Sequence, residues 1–252
     1  MKTTAAIVAI AAASAAAFAG STRIQVDSTT QNPGSGFQGQ GNLEGYITAF
    51  SAPGTNAVSE YNLGGAEYRG GSAFSPSRLV NDAINLFFVD HGGGDLSLFF
   101  VANDGIGGNQ HSTVTGNVMF NHDATLEVQD DFNQDSGLGE RTNDGIQTCD
   151  VGDVLAAHTS FGIDFSWTQE NTDGFATSFE NVYGSWVRFS DLVGDSDAVA
   201  ITNYVVHSAD GSTIAGSFGD FNNLQMTVVP TPTSALLGSA GLGLLVTRRR
   251  RA

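Results

Sequence analysis

The chain has 252 residues, with 26 acidic and 10 basic side chains, five histidines and one cysteine, and a formal net charge of −16. That balance argues against a nucleic-acid partner, because a strongly acidic surface repels a polyanion. A single cysteine, Cys149, excludes an internal disulfide, so the core must supply the stability.

The N-terminus reads as an export signal. Met1-Lys2-Thr3-Thr4 is a short basic start, residues 5–18 are an apolar run, and Ala17-Phe18-Ala19 is a small-x-small cleavage site before Gly20. Residues 1–19 are therefore expected to be a secretory signal peptide, cut between Ala19 and Gly20. The exported part, residues 20–229, is long enough for one large domain with its own core. It carries no lysine, and its five arginines face all 26 carboxylates, a formal balance of −21.

From Gly20 onward the pattern is that of strands separated by Gly/Asn/Asp turns. Residues 28–41 are turn-rich and predict a loop or a loosely held strand. Residues 43–50 open the strand series. Residues 84–89 and 96–101 are two apolar runs around the turn Asp90-His91-Gly92-Gly93-Gly94-Asp95, a hairpin signature. Phe87, Phe88, Phe99 and Phe100 make both faces of that hairpin apolar, which predicts central strands buried between two layers. Residues 113–120 are expected to turn through Asn121-His122-Asp123 into 124–129 as a further hairpin. Residues 163–167 and 185–189 alternate, residues 198–208 turn at Asp210-Gly211 into 212–218, and residues 224–229 close the domain. No 12-residue window shows a clear amphipathic helix, and the 17 Phe and 32 Gly suit a sandwich with many turns. The expected fold is all-β, a single large β-sandwich of jelly-roll-like type.

One loop offers chemistry. Asp131, Asn133 and Asp135 stand at i, i+2 and i+4, followed by Gly137 and Glu140. That spacing lets a turning backbone aim several oxygens at one cation, which makes calcium the candidate metal. Gly137 is one place late for an EF-hand, and Thr142 stands where that loop closes with Glu, so the alternatives are a generic calcium loop and a solvated acidic loop. The chain has no His-Glu-x-x-His, no P-loop, no dinucleotide fingerprint and no Gly-x-Ser-x-Gly elbow. His91 before three glycines is therefore read as part of a turn, and no catalytic residue is assigned. The five histidines show no ligand spacing.

The C-terminus has three parts in fixed order: Val229-Pro230-Thr231-Pro232, an apolar uncharged run over 233–247, and Arg248, Arg249, Arg250 and Arg251. As a helix the run would rise roughly 22 Å, short of a comfortable membrane span. The arginines are a cytoplasmic-side signal. This tail resembles the PEP-CTERM sorting signal of bacterial exported proteins, with Thr231 where that family usually carries Glu. The resemblance covers about a tenth of the chain. It implies recognition by an exosortase-type membrane protease, a transient or permanent single-pass helix in the inner membrane over residues 230–252, removal of the tail, and delivery to the cell surface or extracellular matrix. It implies nothing about the activity of residues 20–229.

Three function classes remain open. The first is a non-catalytic surface or matrix protein that binds carbohydrate or itself; the second is a secreted carbohydrate-active enzyme on the same fold. The third is a calcium-dependent adhesion module. Two carboxylates in a cleft beside Trp167 or Trp186 would favour the enzyme. A flat sandwich with dispersed acids would favour the binding protein.

Overall fold

The computed structural model describes residues 21–29, 41–61, 71, 75–103, 112–129, 158–165, 172–196, 201–220 and 223–230. These residues form thirteen strands: β1 (Arg23–Thr29), β2 (Asn42–Thr48), β3 (Phe50–Ser51), β4 (Ala83–Gly92), β5 (Asp95–Asn103), β6 (Ser112–Phe120), β7 (Ala124–Gln129), β8 (His158–Phe165), β9 (Thr172–Glu180), β10 (Trp186–Ser196), β11 (Asn203–His207), β12 (Thr213–Ser217) and β13 (Asn223–Val229). One short helix, α1 (Ala57–Tyr61), and two single turns of 3₁₀-helix accompany them.

The strands make two sheets. Sheet A runs β2-β1-β13-β10-β6-β8, and sheet B runs β12-β11-β4-β5-β9-β7, with β3 also on β4. The expected all-β sandwich is the fold of the described residues. Alternation explains the packing: successive side chains point to opposite faces, so one face of each sheet can be wholly apolar. Ile24, Val26, Val118, Phe120, Val187, Phe189, Leu224 and Met226 from sheet A meet Ile84, Leu86, Phe88, Leu98, Phe100, Phe175 and Phe179 from sheet B. Phe100 stacks on Phe175 with ring centroids 4.8 Å apart. Each fully buried ring of this kind contributes about 2–3 kcal/mol of transfer free energy.

β4 and β5 are buried on both faces, as their double apolar pattern predicts. The second face carries Phe87, Val89, Phe99 and Val101, covered by Phe50, Ala52, Ala57 and Tyr61 from residues 50–61. Tyr61, Phe99 and Phe87 stack in sequence, with centroids 6.1 and 4.8 Å apart. The predicted six-residue turn is tighter than expected. The strands run on to Gly92 and resume at Asp95, because Gly93 and Gly94 adopt positive φ (68° and 95°) that side-chain-bearing residues rarely adopt.

The structure corrects other expectations. β6 and β7 are not a hairpin: β6 lies in sheet A between β10 and β8, whereas β7 lies in sheet B on β9. Asn121-His122-Asp123 has no glycine to close a two-residue turn. Instead Asn121 ties the crossing to the neighbouring one between β9 and β10. Its Oδ1 accepts from Trp186 N at 2.7 Å and its Nδ2 donates to Gly184 O at 2.8 Å. Residues 43–50 likewise divide between β2 in sheet A and β3 in sheet B. Ser28 and Thr29, at the start of the stretch expected to be a loop or a loosely held strand, belong to β1. β11 and β3 pair with β4 in parallel, which no hairpin reading contains. The β11–β12 and β13 expectations hold, with β11 starting at Asn203.

Candidate functional site

The sequence-assigned site residues lie almost wholly outside the described residues. This holds for the calcium-loop candidates Asp131, Asn133, Asp135 and Glu140, for Ala19 and Gly20, for Thr231, Pro232 and Arg248 to Arg251, and for Cys149 and Trp167. Pro230 is described and exposed, one residue beyond β13. Among the described residues no group of three or more His, Cys, Asp or Glu side chains is arranged to hold a metal ion. Among them, too, no helix is long and apolar enough to cross a membrane.

The β4–β5 hairpin holds a serine–histidine pair of the kind that activates nucleophiles. Thr55 gives its hydroxyl proton to Ala52 O at 2.7 Å, so its oxygen accepts from His91 Nδ1 at 2.8 Å. A neutral imidazole then accepts at Nε2 from Ser97 Oγ, 2.9 Å away. Burial lowers the His91 pKa, while Asp95, Glu60 and Asp90 pull it upward. A base and a hydroxyl in this register could in principle perform acyl transfer, but Ser97 is 0 % exposed and no substrate atom reaches its oxygen. The triplet instead fastens residues 52–55 to the hairpin. Asp90 beside it is a second tie, accepting from Thr22 Oγ1 at 2.5 Å, Gly92 N at 2.9 Å and Asn181 Nδ2 at 3.1 Å.

The outer face of sheet A is different in kind. Val187, Phe189, Leu224 and Met226 point inward, so their neighbours Trp186, Arg188, Gln225 and Thr227 point out. Register places Tyr46, Gln25, Thr227 and Trp186 directly opposite one another in one row across β2, β1, β13 and β10. Three strand spacings separate the two aromatic residues, roughly 14 Å. The next row is Asp27, Gln225 and Arg188.

Hydrogen bonds link the polar side chains of this face. Arg188 donates from Nε and Nη2 to Gln225 Oε1 at 3.0 and 2.7 Å, and its guanidinium lies 4.6 Å from the Trp186 ring centroid. Gln225 Nε2 donates to Thr227 Oγ1 at 3.1 Å. Gln25 Nε2 donates to both Asp27 oxygens, at 3.1 and 2.9 Å. The Arg23 guanidinium sits 3.7 Å from the Tyr46 centroid, close enough for a cation–π contact. Arg188, Gln225 and Asp27 are only 8, 7 and 7 % exposed, whereas Tyr46 is 41 % exposed. Burial accordingly lowers the Arg188 pKa. It raises that of Asp27 against the Gln25 hydrogen bond, with Glu44 adding to the rise. The buried row thus braces a partly exposed row of ring, amide, hydroxyl and ring. Sequence reasoning singled out Trp186 but not its partners, because they come from three other strands, each far from Trp186 in the chain.

No protein-family model matches this chain, and no curated protein matches it.

Proposed function

We propose that this is an exported bacterial cell-surface or extracellular-matrix protein whose sandwich has a structural and carbohydrate-binding role. The apolar signal at residues 1–19 and the tripartite tail from Pro230 to Arg251 support the export half. In this reading the tail is a temporary membrane handle for an exosortase-type protease, and Gly20 is the mature N-terminus. The observation that carries the binding half is the partly exposed row Tyr46–Gln25–Thr227–Trp186. Aromatic rings stack on the C–H faces of sugars, and the amide and hydroxyl between them suit sugar hydroxyls. The acidic charge of the exported part favours an uncharged polysaccharide over an anionic one.

Mass spectrometry of the protein from its native host tests the export half by reading both termini. An N-terminus at Gly20 and a missing tail are expected. Replacing Arg248 to Arg251 with uncharged residues is expected to change processing or surface retention, and unchanged processing and location would count against the sorting reading. For the binding half, the full chain is titrated with polysaccharide extracted from the host matrix while tryptophan fluorescence is followed. Tyr46→Ala and Trp186→Ala are expected to abolish the response with the fold intact. Wild-type protein that ignores the polysaccharide removes the idea.

A further inference from the structure

We propose that β12 is a self-association edge, at which two copies of the chain join sheet B to sheet B. Hydrogen bonding to β11 fixes which backbone groups remain outside. Ser208 N donates to Ser212 O at 3.0 Å, and Phe218 N donates to Thr202 O at 2.8 Å. The register between them is unbroken, from His207 opposite Thr213 to Asn203 opposite Ser217. Antiparallel ladders alternate bonded and non-bonded pairs, so residues 212, 214, 216 and 218 bond toward β11. Thr213, Ala215 and Ser217 therefore turn their N–H and C=O groups to the free side. Among the described residues no strand other than β11 pairs with β12.

Natural edge strands are guarded by bulges, charges, prolines or plugs. Among the described residues the edges β2 and β7 are guarded. β2 has a bulge opposite Val26 and Asp27, and Thr48 is plugged by Ser208 Oγ and Ala209 N at 3.0 and 2.9 Å. β7 has a bulge between Leu126 and Val128. β8 contains Asp164. β12, Thr213-Ile214-Ala215-Gly216-Ser217, has no charge, no proline and no bulge. In a domain with a balance of −21, the strand itself presents no carboxylate to an approaching copy.

The occupant is a second copy because the edge complements itself. A two-fold axis through Ala215 sets Ala215 opposite Ala215 and Thr213 opposite Ser217 of the other copy. All three outward positions then pair, giving about six hydrogen bonds between small, uncharged side chains. Ile214 stays directed inward, against Gly45 of β2. Exposed Asp210 and Asp220 lie just beyond the two ends of β12, and the pairing brings each toward the other in the partner copy. Added salt screens that repulsion and should strengthen association. The inference deepens the matrix reading above and rests on it only for its biological setting.

Sedimentation velocity of the full chain against Ala215→Pro and Ala215→Lys, in the same buffer over a range of salt, tests it. Proline at 215 removes an outward N–H without touching the β11 ladder, and lysine installs a guard charge. Wild type is expected to dimerise more strongly as salt rises, with both variants weaker by about tenfold or more and melting temperatures unchanged. Amide exchange reads the geometry directly. Protection at Thr213, Ala215 and Ser217 should rise with protein concentration, while Ile214 and Gly216 stay protected throughout. A wild-type chain that remains monomeric, or a dimer that both variants preserve, overturns the proposal. Neither readout depends on tail processing or glycan binding, so loss of either of those with the dimer intact counts against the export and binding reading alone.

Discussion

His207 makes the stability of this sandwich depend on pH. It lies on the outer face of sheet B, 4 % exposed, and its Nε2–H donates to Asn85 Oδ1 at 2.9 Å. The same Oδ1 accepts from Val80 N at 2.8 Å, and Asn85 Nδ2 donates to Val80 O at 3.0 Å, which fastens the segment before β4 to the sheet. Burial, with a smaller contribution from the Arg78 charge, lowers the His207 pKa from 6.5 to about 4. The unfolded chain thus binds a proton in a pH range where the folded chain does not. Stability from this group is complete above pH 6.5 and is lost as the pH falls from there to about 4. The loss amounts to about 3 kcal/mol. His91, also lowered, contributes with the same sign, whereas the raised Asp27 and Asp95 contribute with the opposite one. A variant isolates the His207 share: His207→Gln keeps an N–H donor toward Asn85 and does not titrate. Urea unfolding of both proteins at several pH values between 7 and 4 provides the comparison. The wild type should lose about 3 kcal/mol more than His207→Gln across the interval. Parallel stability curves would refute the reasoning.

Other outcomes follow from single positions. A Cβ at Gly174 would meet Phe100 O at 1.9 Å and Tyr61 Oη at 3.0 Å, so backbone would have to move. Gly174→Ala should cost about 3 kcal/mol or more and lower the melting temperature by roughly 6–12 °C; an unchanged melting curve would sink this. Ser97→Ala strips the donor from buried His91 Nε2 and should cost about 1–3 kcal/mol. Denaturant titration would show the loss, and no loss would mean that the triplet does not fasten the 52–55 segment. If Asp131, Asn133, Asp135 and Glu140 hold calcium, calcium should raise the melting temperature of the full chain and EDTA lower it. Identical melting with either addition removes the calcium loop.

Local pattern carried much of the sandwich. The 84–89 and 96–101 runs, the glycine turn between them and the Asp210-Gly211 turn announce their strands because each signal is contained in a few neighbouring residues. β1 and β9 were harder to read. Arg23-Ile24-Gln25-Val26 is a short alternation beside a turn-rich stretch, and β9 carries its apolar residues among Thr, Ser and Gly. Such strands are defined by what they pair with, β1 by β13 and β9 by β5. The outer-face row was illegible for the same reason. Gln25, Tyr46, Trp186 and Thr227 share no local motif and meet only because four strands align.

The sequence alone determined the strand-rich composition, the doubly apolar hairpin, the absence of an internal disulfide and the acidic, lysine-free stretch over residues 20–229. Each is a property of residue types or of spacing over a few positions. Only the tertiary structure decided which sheet each strand joins. Asn121-His122-Asp123 separates two strand-like runs that lie in different sheets, and Asn121 bonds to Gly184 and Trp186, more than 60 residues away. It also decided that Ser97 and His91 are sealed fasteners and that, among the described residues, β12 pairs with β11 alone. Burial and the unpaired side of a strand are set by what packs nearby, and that is fixed only when the whole chain has folded.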